Sequence, residues 1–432
     1  MKPQLTLGVI GHVDHGKTSL VRALTGIETD RLKEEKERGL SIVLGFSYMQ
    51  GARAAIDLID VPGHENLVRT MVSGATGMDG ALLVVAANEA IMPQTREHVA
   101  IAHLLGVDRG VVVITKRDLV SEIELKHTIE EVRSFTAGTF LENAEVVSTS
   151  TRENQGMREL GQAIDKITPI DRRNSKKAFP FLPIDRAFTM PGFGVVVTGT
   201  LRGGDLTTRS NVELLPSKRA ATIRGLQVHN RPVDRATPGQ RVAVNVRQVK
   251  REDISRGDVL ALQGRIDATN RVDVELRLLN SQNEPLKNGA TVEFLAGTTS
   301  VTSRVRLLDP KTLEPGATGF AQLRFPRSVA TYQMQRFIIR TGSPIRTIGG
   351  GTVLDANPEL HRRFGAATKS RLETIAHGSS VEKTQMYLAE ADVSGTTLDG
   401  LSDLLCLDTD DVNAALAFID PVLTNSGTLI DQ

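Results

Sequence analysis

The 432-residue chain has a single cysteine, Cys406, so an internal disulfide is excluded and the fold must hold without covalent staples. It has no apolar run of the roughly 18 residues that a membrane-spanning helix requires. Net charge is nearly absent, at +1, but the balance is uneven: from Arg362 onward five basic residues face eleven acidic ones. A polyanion therefore suits the front part of the chain better than its end. No short-period repeat or low-complexity tract is present, which argues against a solenoid or a disordered chain. The first apolar stretch is about six residues and runs into a glycine-rich motif that cleavage of a leader would destroy. These absences predict a soluble, cytoplasmic protein without a membrane partner, and the length predicts about three domains, each able to bury its own core.

The glycine-rich motif is Gly11-His12-Val13-Asp14-His15-Gly16-Lys17-Thr18, which has the spacing of a phosphate-binding loop. Residues 5–10 read as the strand before it, and Ser19 opens a helical stretch over 19–24. Backbone N–H groups at that helix start would face phosphates. Lys17 would reach the terminal phosphates of a nucleoside triphosphate, and the Thr18 hydroxyl would bind Mg2+, which prefers oxygen ligands.

Up to about residue 171, apolar runs at 54–59, 81–87, 111–115 and 145–148 alternate with amphipathic stretches. That alternation predicts a mostly parallel sheet covered on both faces, with its ligand at the carboxyl ends of the strands. Residues 171–177 are polar and basic, which suits a linker or a solvated loop. Short alternating runs follow at 194–201, 221–228, 241–246 and 258–262, then at 272–279, 290–295, 302–308 and 320–325. They predict two successive β domains of barrel or sandwich type. Helical signals at 369–376, 384–391, 398–405 and 410–419, with a hairpin over 422–430, suggest a winged-helix-like end with three helices. Its recognition helix would begin at Asp408-Thr409-Asp410-Asp411, whose acids favour a helix start and repel phosphates.

Two later motifs narrow the nucleotide. Ile59-Asp60-Val61-Pro62-Gly63-His64 follows a strand, so Asp60 could hold magnesium, Gly63 could sense the γ-phosphate through its N–H, and His64 would sit beside the attacking water. Thr115-Lys116-Arg117-Asp118 ends another strand, where a carboxylate at Asp118 can accept from the N1–H and N2–H2 groups of guanine; adenine lacks that donor pair. Val147-Ser148-Thr149 falls where a loop would cover the base edge. The charge-dense stretch 31–41 reads as an exposed helix with i,i+4 pairs such as Glu34 with Arg38, or as a switch loop in which Ser41 supplies a hydroxyl to the metal. The expected architecture is multidomain: an α/β P-loop GTPase domain at 1–171, β-barrel domains at 179–264 and 265–357, and a C-terminal α-helical winged-helix-like segment at 362–432.

Taken together, the phosphate-loop motif, Glu37-Arg38-Gly39-Leu40-Ser41-Ile42 and Asp60-Val61-Pro62-Gly63-His64 resemble the translational GTPases of the elongation factor Tu group. Thr115-Lys116-Arg117-Asp118, Leu44-Gly45-Phe46, Ile184-Asp185-Arg186-Ala187-Phe188-Thr189 and residues 347–355 are similar to the selenocysteine-specific branch of that group. The resemblance implies GTP/GDP binding, GTP hydrolysis with Mg2+, and delivery of selenocysteinyl-tRNA to the ribosome. It implies an aminoacyl pocket between the GTPase domain and the first barrel, with Arg186 and Arg241 at the family's pocket arginines, and an mRNA hairpin as a further partner of bacterial members. The chain departs from the pattern at Ser41, where threonine is usual, and at Val43, where an aspartate linked to the pocket is usual. It also has room for about one winged-helix module. A related factor for another aminoacyl-tRNA, or a guanine-nucleotide switch that delivers no tRNA, is the alternative reading.

Overall fold

The computed structural model describes the chain apart from residues 1–2, 31–34, 36–40, 65–66, 76, 168–178, 392–394, 406, 408, 420–421, 424–427 and 431–432. The linker expected over 171–177, the Glu34–Arg38 pair, residues 37–40, Cys406 and Asp408 lie outside the described residues. Two compact units divide the chain, Met1–Ile170 and Asp171–Gln432.

The first unit runs β1 (Gln4–Ile10), α1 (Lys17–Thr25), β2 (Gly45–Gln50), β3 (Ala55–Asp60), α2 (Val68–Ala75), β4 (Gly80–Ala86), α3 (Pro93–Leu104), β5 (Gly110–Thr115), α4 (Glu122–Thr136), β6 (Glu145–Ser148) and α5 (Met157–Lys166). The strands form one six-stranded sheet in the order β2-β3-β1-β4-β5-β6. Every pairing is parallel except β2 with β3. Their connection is too short for a parallel crossover, so it folds as a hairpin, with Gly51 N–H donating to Ala54 O at 2.9 Å. All seven residues of β4 are buried, as a strand covered on both faces requires. One face packs Leu7, Val9, Leu82 and Val84 against Leu20 and Val21 of α1 and Leu160 and Ile164 of α5. Strands on either side of β1 leave in opposite directions from it, which opens a crevice at the carboxyl ends of the sheet.

The second unit begins with an eight-stranded antiparallel sheet wrapped around Leu182, Val197, Leu214, Ile223, Val244 and their neighbours. Inward residues of Arg241–Arg247 (Val242, Val244, Val246) alternate with outward ones, the period expected of a strand with one buried face. A closed barrel follows, in the order Ala268–Leu278, Thr318–Ala330, Thr299–Asp309, Thr291–Ala296, Arg336–Arg340 and Thr347–Asp355. It is filled by Phe294, Phe337 and a shell of aliphatic residues. Closure falls on Gly349-Gly350-Gly351, because a Cβ on Gly351 would lie 1.8 Å from the Glu275 carbonyl oxygen.

The last elements are α6 (Ala366–His377), α7 (Ser380–Ala391), α8 (Leu398–Leu405) and α9 (Thr409–Ile419), with a small sheet of Thr396–Thr397, Thr428–Ile430 and Val422–Leu423. A third strand thus joins the expected hairpin, and each of the four helical signals lies in a helix, one more than the three suggested for a winged-helix-like end. This segment is not separate from the barrel: Leu308, Phe320 and Leu354 of the barrel share one core with Leu372, Leu388, Leu401 and Val412. Arg371 ties the two further, pairing with Asp355 at 2.9 Å and with Glu390 at 2.6 Å. Among the described residues, no helix is long and apolar enough to cross a membrane.

Candidate nucleotide site

The phosphate-loop motif leaves the carboxyl end of β1 and enters α1. Gly11 passes so close to β4 that a Cβ would lie 2.2 Å from Val84 O, and Gly16 turns the chain into the helix at φ 82°. Lys17 is the first residue of α1; its Nζ donates to Gly11 O at 3.0 Å and to His12 O at 2.6 Å. Burial lowers its pKa to about 8, against the opposing pull of Asp60 and Asp14. Asp14 and Ser19 are exposed, and His12 and Val13 are half-buried. His15, by contrast, is fully buried: its ring Nδ1 lies 3.3 Å from Val84 O and its Nε2 lies 3.6 Å from a Glu89 carboxylate oxygen. Burial lowers its pKa to about 4, so the ring is neutral near pH 7 and braces the loop from beneath.

Two residues that sequence reasoning missed hold the loop from α3. Gly11 N–H donates to His98 Nδ1 at 3.1 Å, and Val13 N–H donates to Gln94 Oε1 at 3.3 Å. Spacing of four puts both side chains on one face of the helix. His98 is 1% exposed, and burial lowers its pKa to about 3, which keeps Nδ1 available as an acceptor. The available signal was a pair of polar residues four apart on an otherwise apolar helix face.

The residues expected to hold magnesium come together. Thr18 Oγ1 donates to Asp60 Oδ2 at 2.8 Å and lies 3.0 Å from Ser41 Oγ, which donates to Asp30 Oδ1 at 2.8 Å. Thr29 Oγ1 also donates to Asp60 Oδ2, at 2.9 Å. The other oxygen, Asp60 Oδ1, is buried without a hydrogen-bond partner among the described residues. Burial raises the Asp60 pKa to about 6 despite the nearby Lys17. An orphaned carboxylate oxygen beside two hydroxyls fits a small, hard cation, so the donor set suits Mg2+.

Beyond Asp60, the chain brings Gly63 against the loop: a Cβ there would lie 2.6 Å from Lys17 Nζ and 2.7 Å from Val13 N. His64 follows immediately, half-buried, with its carbonyl accepting the Leu67 N–H at 2.8 Å. One expectation for the charged stretch is corrected. Glu35 is only 1% exposed and accepts the Ile42 and Val43 N–H groups, each at 3.0 Å. An internal carboxylate is tolerable there because the two orphan amides at the start of the following segment satisfy it.

At the other side of the crevice, Thr115 Oγ1 donates to His15 O at 2.7 Å and so links β5 to the phosphate loop. Lys116 adopts a left-handed backbone, φ 56°, and its Nζ pairs with Glu89 at 2.9 Å. Asp118 lies in the short turn Arg117–Leu119, where a hydrogen bond with the Ser150 side chain is the main cause that lowers its pKa. Arg117 draws the two loops together, its N–H donating to Thr149 O at 3.2 Å and its guanidinium to Ser148 Oγ at 3.4 Å.

Arg186 and Arg241 lie in the second unit, on strands flanking Gly194–Thr200; Arg186 is opposite Thr198 and Arg241 opposite Thr200, so both share the outer face. Arg241 is bound in a fork by Asp185, at 2.5 and 3.1 Å, and by Thr198 Oγ1 at 3.3 Å, which offsets its charge, whereas Arg186 is exposed.

Comparison with known proteins accounts for the order of these parts. Residues 2–170 match the family model for the elongation factor Tu GTP binding domain, 194–261 that for elongation factor Tu domain 2, and 269–360 that for the selenocysteine-specific elongation factor β-barrel domain. Residues 2–170 thus belong to the elongation factor Tu GTP-binding family, and residues 269–360 to the selenocysteine-specific elongation factor barrel family. It is 41% identical over 390 residues to a selenocysteine-specific elongation factor of Desulfomicrobium baculatum, covering 90% of this chain and 61% of that one. A protein of the same description from Escherichia coli (strain K12) is 35% identical over 356 residues, covering 82% of this chain and 56% of the relative. The chain thus spans somewhat more than half the length of these curated relatives. A crystal structure of a bacterial selenocysteine-specific elongation factor superposes with TM-score 0.85 at 28% identity, over 100% of this chain and 70% of that chain. The family member from Methanococcus maripaludis, in complex with the GTP analogue GppNHp, superposes with TM-score 0.70 at 25% identity, over 84% of this chain and 81% of that one.

Proposed function

We propose that the chain is a GTP-hydrolysing elongation factor that binds selenocysteinyl-tRNA and delivers it to the ribosome in the cytoplasm. The carrying observation is the convergence of Thr18, Ser41 and the orphaned Asp60 Oδ1 beside the phosphate loop, in a unit followed by the family's barrels. The backbone of residues 11–16, with Ser19, cradles the phosphates, and Lys17 exchanges its two loop carbonyls for phosphate oxygens. When bound, Mg2+ supplies charge neutralisation on the β- and γ-phosphates, held by Thr18, Ser41 and Asp60. Gly63 reads the γ-phosphate through its N–H, and His64 orients the attacking water. Asp118 accepts from guanine, with Thr115, Lys116 and Ser148 shaping the base site. We assign the division 1–171, 179–264, 265–357 and 362–432, and an mRNA hairpin as a further partner of the factor.

The test is the affinity of the GTP form for selenocysteinyl-, seryl- and cysteinyl-tRNA, measured side by side. A GTP-dependent preference for the selenol supports delivery, and equal affinities remove it. A guanine-nucleotide switch without tRNA cargo is the second reading; the engagement of Arg241 by Asp185 favours it, because an anionic selenol needs an unopposed cation.

A further inference from the structure

The closed barrel and the helical segment packed on it leave a cavity of about 220 Å³ at their seam. Local strand chemistry builds its buried part. Strand Thr299–Asp309 shifts register against Thr318–Ala330 between Leu307 and Asp309, so Leu307 enters the barrel core while Leu308 turns outward. There Leu308 joins Phe320, the outward neighbour of the core residue Ala321. Both are buried and line the cavity, together with Phe364 and the start of α6.

The wall made by residues 362–364 is held in place before any ligand arrives. Phe364 N–H donates to Leu308 O at 2.9 Å, and Arg363 Nε donates to Leu307 O at 2.9 Å. The Arg363 guanidinium also lies over the Phe364 ring, 4.7 Å from its centroid. A large aromatic side chain is thus fixed at the cavity while remaining 55% exposed. The polar lining carries uncompensated positive charge. Lys369 and Asp309 pair at 2.7 Å and offset each other, whereas Arg362 and the Thr368 hydroxyl form no hydrogen bond or ion pair among the described residues. Gly365 caps α6 without a side-chain acceptor and the first turn holds no acid, so its amides add donors beside Arg362 and Thr368.

An apolar body and an anionic end are what such a lining accepts. An apolar cavity of about 150 Å³ takes a benzene ring, so this one has room for a ring and a short acid tail. We propose that the seam cavity is a binding site for a small aryl carboxylate, with its ring against Leu308, Phe320 and Phe364 and its carboxylate on Arg362 and Thr368. Two phenylalanine rings favour an aryl over an alkyl body, and a guanidinium binds a carboxylate through charge-assisted hydrogen bonds. A bare phosphate leaves the apolar part of the lining unused. The ligand would touch both the barrel and α6, so its binding stabilises their docking. The site shares no residue with the nucleotide site, and its occupation requires neither GTP nor tRNA.

The test is isothermal titration of the full chain, saturated with GDP, with 3-phenylpropionate. One molecule should bind per chain and raise the thermal midpoint. R362Q should weaken binding by about tenfold or more, the loss of a charge-assisted contact. A366F, which places a ring in the cavity, should abolish it, and both variants should keep wild-type GDP affinity. The neutral 3-phenylpropanamide should bind about tenfold more weakly than the acid, and neither acetate nor inorganic phosphate should displace the acid at equal concentration. Absence of saturable binding to the wild-type chain overturns the proposal. So do unchanged affinity in R362Q, equal binding of the amide, or displacement by acetate or phosphate at equal concentration. R362Q changes an exposed side chain, so it decides alone should A366F melt early.

Discussion

His98 Nδ1 accepts the N–H of Gly11 at 3.1 Å, so a side chain 87 residues away fixes the first peptide of the phosphate loop. The bond is buried and requires a neutral ring, which the surroundings enforce. A loop whose other amides serve phosphates gains from acceptors that hold the two turned towards α3.

Replacing His98 with alanine should leave the Gly11 N–H buried without an acceptor, at a cost of about 1–3 kcal/mol. Calorimetric melting should show the loss, and GDP titration should show roughly tenfold weaker binding. Gln94→Ala should weaken binding less, since its bond to Val13 is longer and only part-buried. Wild-type GDP affinity in the His98 variant would refute the bracing role.

Acid should weaken the first unit through the same groups. His15 and His98 have folded pKa values near 4 and 3, below the ordinary 6.5, so the unfolded chain takes up protons first as pH falls. Their contribution is complete above pH 6.5 and declines as pH drops towards 4. Melting temperatures taken between pH 7.5 and 4.5 should fall, with a shallower decline in His98→Asn.

Asp60 behaves in the opposite sense. Its folded pKa of about 6 lies above the ordinary carboxylate value, so ionising it costs stability in metal-free protein as pH rises through 6. Mg2+ needs that carboxylate ionised, so the rise in melting temperature on adding Mg2+ with GDP should be larger at pH 7.5 than at pH 5.5. In Asp60→Asn the Mg2+ response should disappear at both pH values.

His64→Ala should leave GTP affinity within about twofold of wild type and lower ribosome-stimulated hydrolysis by at least roughly a hundredfold, the usual share of a group that positions or polarises the nucleophile. Single-turnover hydrolysis on ribosomes measures this directly, and wild-type turnover would remove His64 from the mechanism.

Legibility varied with the range of the interaction. The loop, Asp60-Val61-Pro62-Gly63 and Thr115-Lys116-Arg117-Asp118 were readable because each needs particular residue types at fixed spacing where a strand ends. Strands and helices of the first unit followed from periodicity, since β4 is apolar throughout, β5 is apolar up to Thr115, and α5 has a single buried face. The burial of Glu35 was not legible because local charge density says nothing about amides brought to it seven and eight residues later. His98 was missed because its partner is distant in the chain, and the fork of Asp185 on Arg241 could not be foreseen across a gap of 56 residues.

By itself the sequence determined the phosphate loop, the nucleotide it suits, the order of an α/β unit before two β units and a helical end, because spacing and periodicity are local properties of a chain. Only the tertiary structure decided which groups complete one another: His98 with Gly11, Gln94 with Val13, and one oxygen of Asp60 with the hydroxyls of Thr18 and Thr29. Those depend on strand register and helix docking, which bring distant residues within hydrogen-bonding reach and carry no mark in the residues between them.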